Sequence, residues 1–143
     1  MKEILRYSGC FVCGEKNDRG LQAKFFFDGS KAHTDVVADR AFEGYKSIFH
    51  GGITATLLDE VMVKSLLAVE KFAVTAEITV RYHAPVLTGD IIRFSGWMTK
   101  QKGRIFYTEG TAIGKDGQKY ASATGVYVEA DPTLKEKLLT SKE

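Results

Sequence analysis

The sequence predicts an α+β chain in which a curled antiparallel sheet wraps one long buried helix. Three observations carry this. The run from Ile53 to Val69 has apolar side chains on nearly every face, which marks a helix enclosed by the fold rather than laid on its surface. Four strand-like segments follow it, separated by Gly/Asp-type turns. Two shorter strand-like runs precede it. A helix that is apolar all round has to be wrapped, and an antiparallel sheet buries it while keeping a polar outer face. The edges of such a sheet invite pairing with a second copy.

The chain has 143 residues, enough for a single domain spanning 1–143. It is 44% hydrophobic and 27% charged, a globular composition. A net charge of +2 gives no support to a nucleic-acid partner. Apolar stretches are interrupted before the ~20 residues a bilayer span requires, so no membrane partner is expected. Met1–Arg6 has no signal-like apolar region, and the expected address is cytoplasmic.

Residues 1–20 form an N-terminal segment around Cys10 and Cys13, residues 21–129 the core, and residues 130–143 a polar tail. Leu21–Phe27 is strand-like and ends at Asp28-Gly29. His33–Ala38 is short and alternating, so the two form a hairpin across a 28–32 turn. Residues 40–50 keep no period and read as a loop. Gly51-Gly52 then opens the helix. In the next strand Val74, Ala76, Ile78, Val80 and Tyr82 alternate with Thr75, Glu77, Thr79, Arg81 and His83, a half-buried pattern. Gly89-Asp90 turns into Ile91–Thr99, and Lys102-Gly103 into Ile105–Ile113. Asp116-Gly117 is a hairpin turn of the type that wants positive φ at both central positions, leading into Lys119–Glu129. Pro132 stops the last strand, and residues 133–143 read as a frayed end.

Cys10 and Cys13 are the only cysteines. A reducing compartment disfavours a structural disulfide. Half a zinc site stays open, but the remaining candidates, His33, His50 and His83, are scattered. A redox pair also stays open, although such a motif usually opens a helix and this one runs into a turn at Gly14–Asn17. The reading adopted is two small apolar side chains pinning the segment, with no metal.

Two features of the helix suggest chemistry. His50-Gly51-Gly52 puts glycines where they weaken a helix, which fits close backbone approach by a ligand and equally a tight loop-to-helix junction. The first N–H groups of a helix lack internal partners and sit at its positive end, so a carbonyl oxygen laid on Gly51 or Gly52 would be polarised. Asp59 and Glu60 lie mid-helix between Leu57-Leu58 and Val61-Met62. Side chains of adjacent helical residues point about 100° apart, so one carboxylate faces a cleft and the other solvent or an interface. Lys64 stands four residues after Glu60 and pairs with it, which leaves Asp59 as the candidate base or nucleophile. Gly51 and Asp59 stand roughly 12 Å apart along one helix, too far to share one carbonyl. Two helices packed antiparallel about a two-fold axis would bring them together.

The run His50-Gly51-Gly52-Ile53-Thr54-Ala55-Thr56-Leu57-Leu58-Asp59-Glu60 resembles the signature helix of hotdog-fold thioesterases of the PaaI-like branch. Ala73–Pro85 with Gly89-Asp90 resembles the strand after that helix, and Cys10-Phe11-Val12-Cys13-Gly14 with Asn17 and Gly20-Leu21 resembles a subgroup of that branch. The resemblance implies a hotdog fold, acyl-CoA thioester hydrolysis, a dimer or dimer of dimers, and no metal or cofactor. It implies Gly51 as the oxyanion-hole glycine, His50 in a positioning role beside it, and Asp59 as the catalytic carboxylate. Thr75 matches a hydroxyl that helps place the attacking water. Gly52 and Glu60 are grouped with the substrate contacts, and Arg81, Lys100, Lys102 and Arg104 are candidate cations for CoA phosphates. The chain departs from some members at Gly44, where they carry asparagine. Two other readings stay open: a non-catalytic acyl-CoA sensor, and a hydroxyacyl-thioester dehydratase.

Overall fold

The computed structural model describes residues 1–142. Seven strands form one antiparallel sheet: β1 (Lys2–Glu3), β2 (Phe26–Phe27), β3 (Ala32–Val37), β4 (Ala73–Tyr82), β5 (Ile91–Lys102), β6 (Ile105–Gly114) and β7 (Lys119–Glu129). Their order is β1-β2-β3-β5-β6-β7-β4, and helix α1 (Gly51–Leu67) lies across the inner face. The expected α+β arrangement, a curled sheet around one long helix, is the one observed.

The helix sits close to the sheet because the inner face is built from small residues. Gly96 pairs with Gly110, Gly110 with Ala123, and Ala112 with Ala121. A Cβ on Gly96 would stand 2.6 Å from the Val61 carbonyl oxygen, so the helix backbone rides directly on β5. Leu57, Leu58, Val61, Met62 and Leu66 are fully buried there with Phe94, Phe106 and Tyr127.

β4 departs from simple alternation. Its register against β7 slips between Thr75 and Glu77, so Thr75 opposes Tyr127 while Glu77 opposes the next residue, Val126. One extra residue, Ala76, sits in the bulge and reverses the phase. Thr75 therefore shares the inner face with Ile78, Val80 and Tyr82. β4 is also an edge strand, exposed along Val74–Glu77 as well as at Thr79, Arg81 and Tyr82, rather than the half-buried strand that alternation predicts.

Other expectations are corrected. Only Phe26–Phe27 of the run 21–27 joins the sheet; Leu21 and Ala23 instead donate backbone bonds to Phe11 and Val12. The extended chain there is committed to the Cys-x-x-Cys segment, and β1 adds a further edge strand beside β2. At the β6–β7 turn only Gly117 has positive φ (87°), and Asp116 does not. The loop is wider than expected, closed by Gly114 N–H to the Gln118 carbonyl, with the Asp116 side chain accepting from Gln118 N–H. The C-terminal end is not a frayed tail: Pro132–Thr140 is a second helix, α2. Asp131 caps it by accepting from Leu134 N–H at 2.8 Å, and Pro132 occupies the first turn, where its missing N–H costs nothing. The same proline that ends β7 starts a helix.

Candidate active site

The start of α1 is held from both sides. His50 is its N-cap, at φ −61° and ψ 126°, and its Nδ1 accepts from Gly52 N–H at 2.9 Å. Tyr82, at the end of β4, donates its hydroxyl to the Gly51 carbonyl at 2.6 Å. Among the described residues Gly51 N–H has no hydrogen-bond partner, so of the two glycines it is Gly51 that keeps a free amide at the positive helix end. Because Nδ1 of His50 accepts, the proton of the neutral ring lies on Nε2. This helix start opens into a cleft lined by Gly44, Tyr45, Ile48, His50, Gly51 and Tyr82. A side chain at Gly44 would crowd the His50 ring, with Cβ 3.2 Å from Cδ2.

Asp59 is placed at the other end of β4. Its Oδ1 accepts from Thr75 Oγ1 at 2.9 Å and from the Tyr127 hydroxyl at 2.8 Å; that hydroxyl also stands 3.0 Å from the Asp59 carbonyl oxygen. Burial, then the Asp59 charge, pushes the Tyr127 phenol far up, which keeps it a donor. Oδ2 makes no hydrogen bond among the described residues and remains available to a water molecule. Sequence reading singled out Asp59 and Thr75. It missed Tyr127, which is 68 residues from Asp59 and meets it only through sheet register.

Glu60 turns away from Asp59, into the N-terminal segment. It pairs with Lys64 at 3.8 Å, as its spacing predicts, and lies 3.9 Å from Cys10 Sγ. It faces neither open solvent nor the helix start: its side chain is 16% exposed and Lys64 is 1% exposed. Burial pushes the Glu60 carboxyl up to about 7, and Lys64 offsets only part of that.

The four candidate cations are not gathered at one place. Arg81 lies near Trp97 and Lys119 on the outer face of the sheet, while Lys100, Lys102 and Arg104 cluster at the β5–β6 hairpin. Arg104 donates to the Glu129 carbonyl at 2.9 Å, and Lys100 lies over the Tyr107 ring at 5.5 Å. A further polar line, Asp28–His33–Ser95, with contacts of 2.8 and 2.7 Å, fastens the β2–β3 turn to β5; Asp28 also accepts from the turn amides of Ser30 and Lys31.

The sequence profile of the Thioesterase superfamily matches residues 47–121, which include the whole of α1 and β4. The chain belongs to the thioesterase superfamily. An uncharacterised protein of Schizosaccharomyces pombe is 33% identical over 92 residues, which cover 60% of this chain and 53% of that protein. The chain thus spans about half the length of this curated relative. A crystallised thioesterase superfamily protein superposes with a TM-score of 0.80 at 25% identity, covering 85% of this chain and 61% of the other. The PaaI protein of the Escherichia coli phenylacetic acid degradation operon shares the fold, with a TM-score of 0.74 at 16% identity, covering 81% of this chain and 87% of that one. A Streptococcus mutans protein crystallised with acetyl CoA gives a TM-score of 0.66 at 21% identity, covering 74% and 88%. The architecture is therefore the hotdog fold. No helix among the described residues is long and apolar enough to cross a membrane.

Proposed function

We propose that this thioesterase superfamily chain hydrolyses acyl-CoA thioesters at a site shared by two copies. The observation that carries this reading is the disposition of two groups along β4: the free Gly51 amide beside Tyr82, and Asp59 beside Thr75. β4 is an edge strand with one side unpaired. Antiparallel pairing of β4 with its twin about a two-fold axis brings the Tyr82 end of one strand to the Thr75 end of the other. Gly51 then faces Asp59 of the partner subunit, and the arrangement occurs twice.

In this reading the thioester carbonyl oxygen accepts from Gly51 N–H, whose hydrogen bond and helix dipole stabilise the developing oxyanion. Asp59 Oδ2 takes a proton from the attacking water, or attacks the carbonyl itself, while Thr75 and Tyr127 hold Oδ1. His50 keeps the Gly52 amide occupied and presents Nε2–H to the cleft, where it can donate to the leaving sulfur. Gly44 stands where some relatives carry asparagine, so the His50 donor acts without that amide. CoA as the carrier rests on the fold shared with a protein that binds acetyl CoA. Arg81, Lys100, Lys102 and Arg104 remain candidates for its phosphates.

The test is a panel of acyl-CoA thioesters varied in chain length and ring content, read by thiol release. Turnover of at least one is expected. In Asp59→Asn, which still accepts from Thr75 and Tyr127, kcat should fall by about 10²–10⁴-fold. Undiminished turnover by that variant would remove Asp59 from the reaction; binding without thiol release across the panel would favour a sensor.

A further inference from the structure

We propose that Cys10 and Cys13 form a dithiol that exchanges with low-molecular-weight disulfides, with Cys10 as the attacking thiolate and Cys13 as the resolving thiol. The site is separate from the thioester chemistry and does not depend on it. Both sulfurs are held by donors: Cys13 Sγ accepts from Tyr7 N–H at 3.5 Å and from the Lys64 ammonium at 3.4 Å. Cys10 Sγ accepts from the backbone N–H of Val12 at 3.3 Å and of Cys13 at 3.4 Å. A turn thus supplies the pair of amide donors that a redox cysteine commonly takes from a helix start. Cys10 is half-buried and lines a cleft with Tyr7, Val63, Leu67 and Leu138. Cys13 is fully buried behind it, its Sγ 3.4 Å from Lys64 Nζ.

The surroundings favour thiol exchange over a metal. The sulfurs of Cys10 and Cys13 and a carboxylate oxygen of Glu60 lie within 4.8 Å of one another, a spacing that would also suit an ion. A cation is already there. The Lys64 ammonium stands 3.4 Å from Cys13 Sγ and 3.8 Å from Glu60 Oε2, and donates to the Leu5 carbonyl. A metal would bring further positive charge beside it. Charge tuning agrees with the geometry. The neighbouring Cys13, helped by the backbone amides, lowers Cys10 to about 6 against burial and the Glu60 charge; Cys10 and burial raise Cys13, and Lys64 offsets part of that. Glu60, raised to about 7 by burial, has a carboxylate oxygen within 4.8 Å of both sulfurs and is placed to accept the Cys13 proton once Cys10 is held in the mixed disulfide.

Cys10 thiolate attacks one sulfur of R–S–S–R, forming a mixed disulfide and releasing R–S⁻. Cys13 passes its proton to Glu60 and its thiolate attacks Cys10 Sγ, closing the intramolecular disulfide and releasing a second R–S⁻. The proton then leaves Glu60 on one of the two released thiols. The protein dithiol is oxidised and the small disulfide reduced.

The full chain, reduced and freed of reductant, is incubated with glutathione disulfide or with CoA disulfide in separate arms. Intact mass should fall by two hydrogens in at least one arm, with both free thiols lost. The Cys13→Ser chain should stop at a mixed disulfide on Cys10, and Glu60→Gln should accumulate that intermediate. At pH 6 the folded wild-type chain should form its first mixed disulfide about tenfold faster than the same chain in denaturant, the larger thiolate fraction being partly offset by lower nucleophilicity. Retention of both thiols in both arms would overturn the proposal. So would equal rates for folded and denatured chain, or a stoichiometric metal that purifies with the protein and is lost in Cys10→Ser.

Discussion

Gly51→Pro isolates the amide on which the oxyanion argument depends. Gly51 is the first residue of α1, the position where proline is best tolerated, because the N–H it lacks has no helical partner. His50 already has the extended backbone that a following proline demands, at φ −61° and ψ 126°. A Cβ at Gly51 meets the Tyr82 ring at 3.4 Å, an ordinary contact. The substitution therefore removes one hydrogen-bond donor and leaves the helix start in place. Losing an oxyanion donor costs about 10²–10³ in kcat, or about 2.7–4 kcal/mol of transition-state stabilisation. Gly51→Ala keeps the N–H and is the matched control. Thiol release from the best acyl-CoA substrate, with melting temperatures to show equal folding, gives the comparison. If the proline and alanine chains turn over at similar rates, the Gly51 amide is not the oxyanion donor.

Two predictions concern the scaffold. Gly96→Ala should lower stability by about 1–3 kcal/mol in thermal or denaturant unfolding, because its Cβ would fall 2.6 Å from a helix carbonyl that cannot swing aside; an unchanged melting temperature would show that α1 is not seated on β5 as described. Glu60 is raised from 4.5 to about 7 in the fold, so between those values the folded chain holds a proton that the unfolded chain has lost. Stability from this group is therefore present at the acid end and declines as pH rises through the window. Glu60→Gln should flatten the slope of melting temperature between pH 5 and 8, and an unaltered slope would contradict the buried carboxyl.

Much of this was legible in the residues because periodicity and turn chemistry are local. The apolar run behind Gly51-Gly52 gave α1, and the glycine turns delimited β5, β6 and β7. The i+4 spacing correctly paired Glu60 with Lys64. What was hidden depends on register. Alternation puts Thr75 on the polar face with Glu77 and Arg81; the bulge at Ala76 turns it toward Asp59, and nothing in the local pattern marks that extra residue. Tyr127 and Tyr82 read as ordinary strand aromatics until the sheet sets them against the two ends of the site. Glu60 read as facing solvent or an interface because the segment that covers it lies 50 residues away in sequence. The α2 helix was readable in Asp131-Pro132, an N-cap followed by a proline at a helix start, but proline after a strand also reads as a stop.

The shared site itself is tested most directly by mixing two inactive chains. Gly51→Pro retains Asp59, and Asp59→Asn retains the Gly51 amide, so a hybrid dimer carries one intact site and one doubly damaged site. Unfolded together and refolded at equal ratio, the pair should recover about a quarter of the wild-type rate per chain, since half the dimers are hybrids with one of two sites working. A mixture no more active than its separate components, although hybrids are shown to form, would mean that Gly51 and Asp59 do not meet across the two-fold axis.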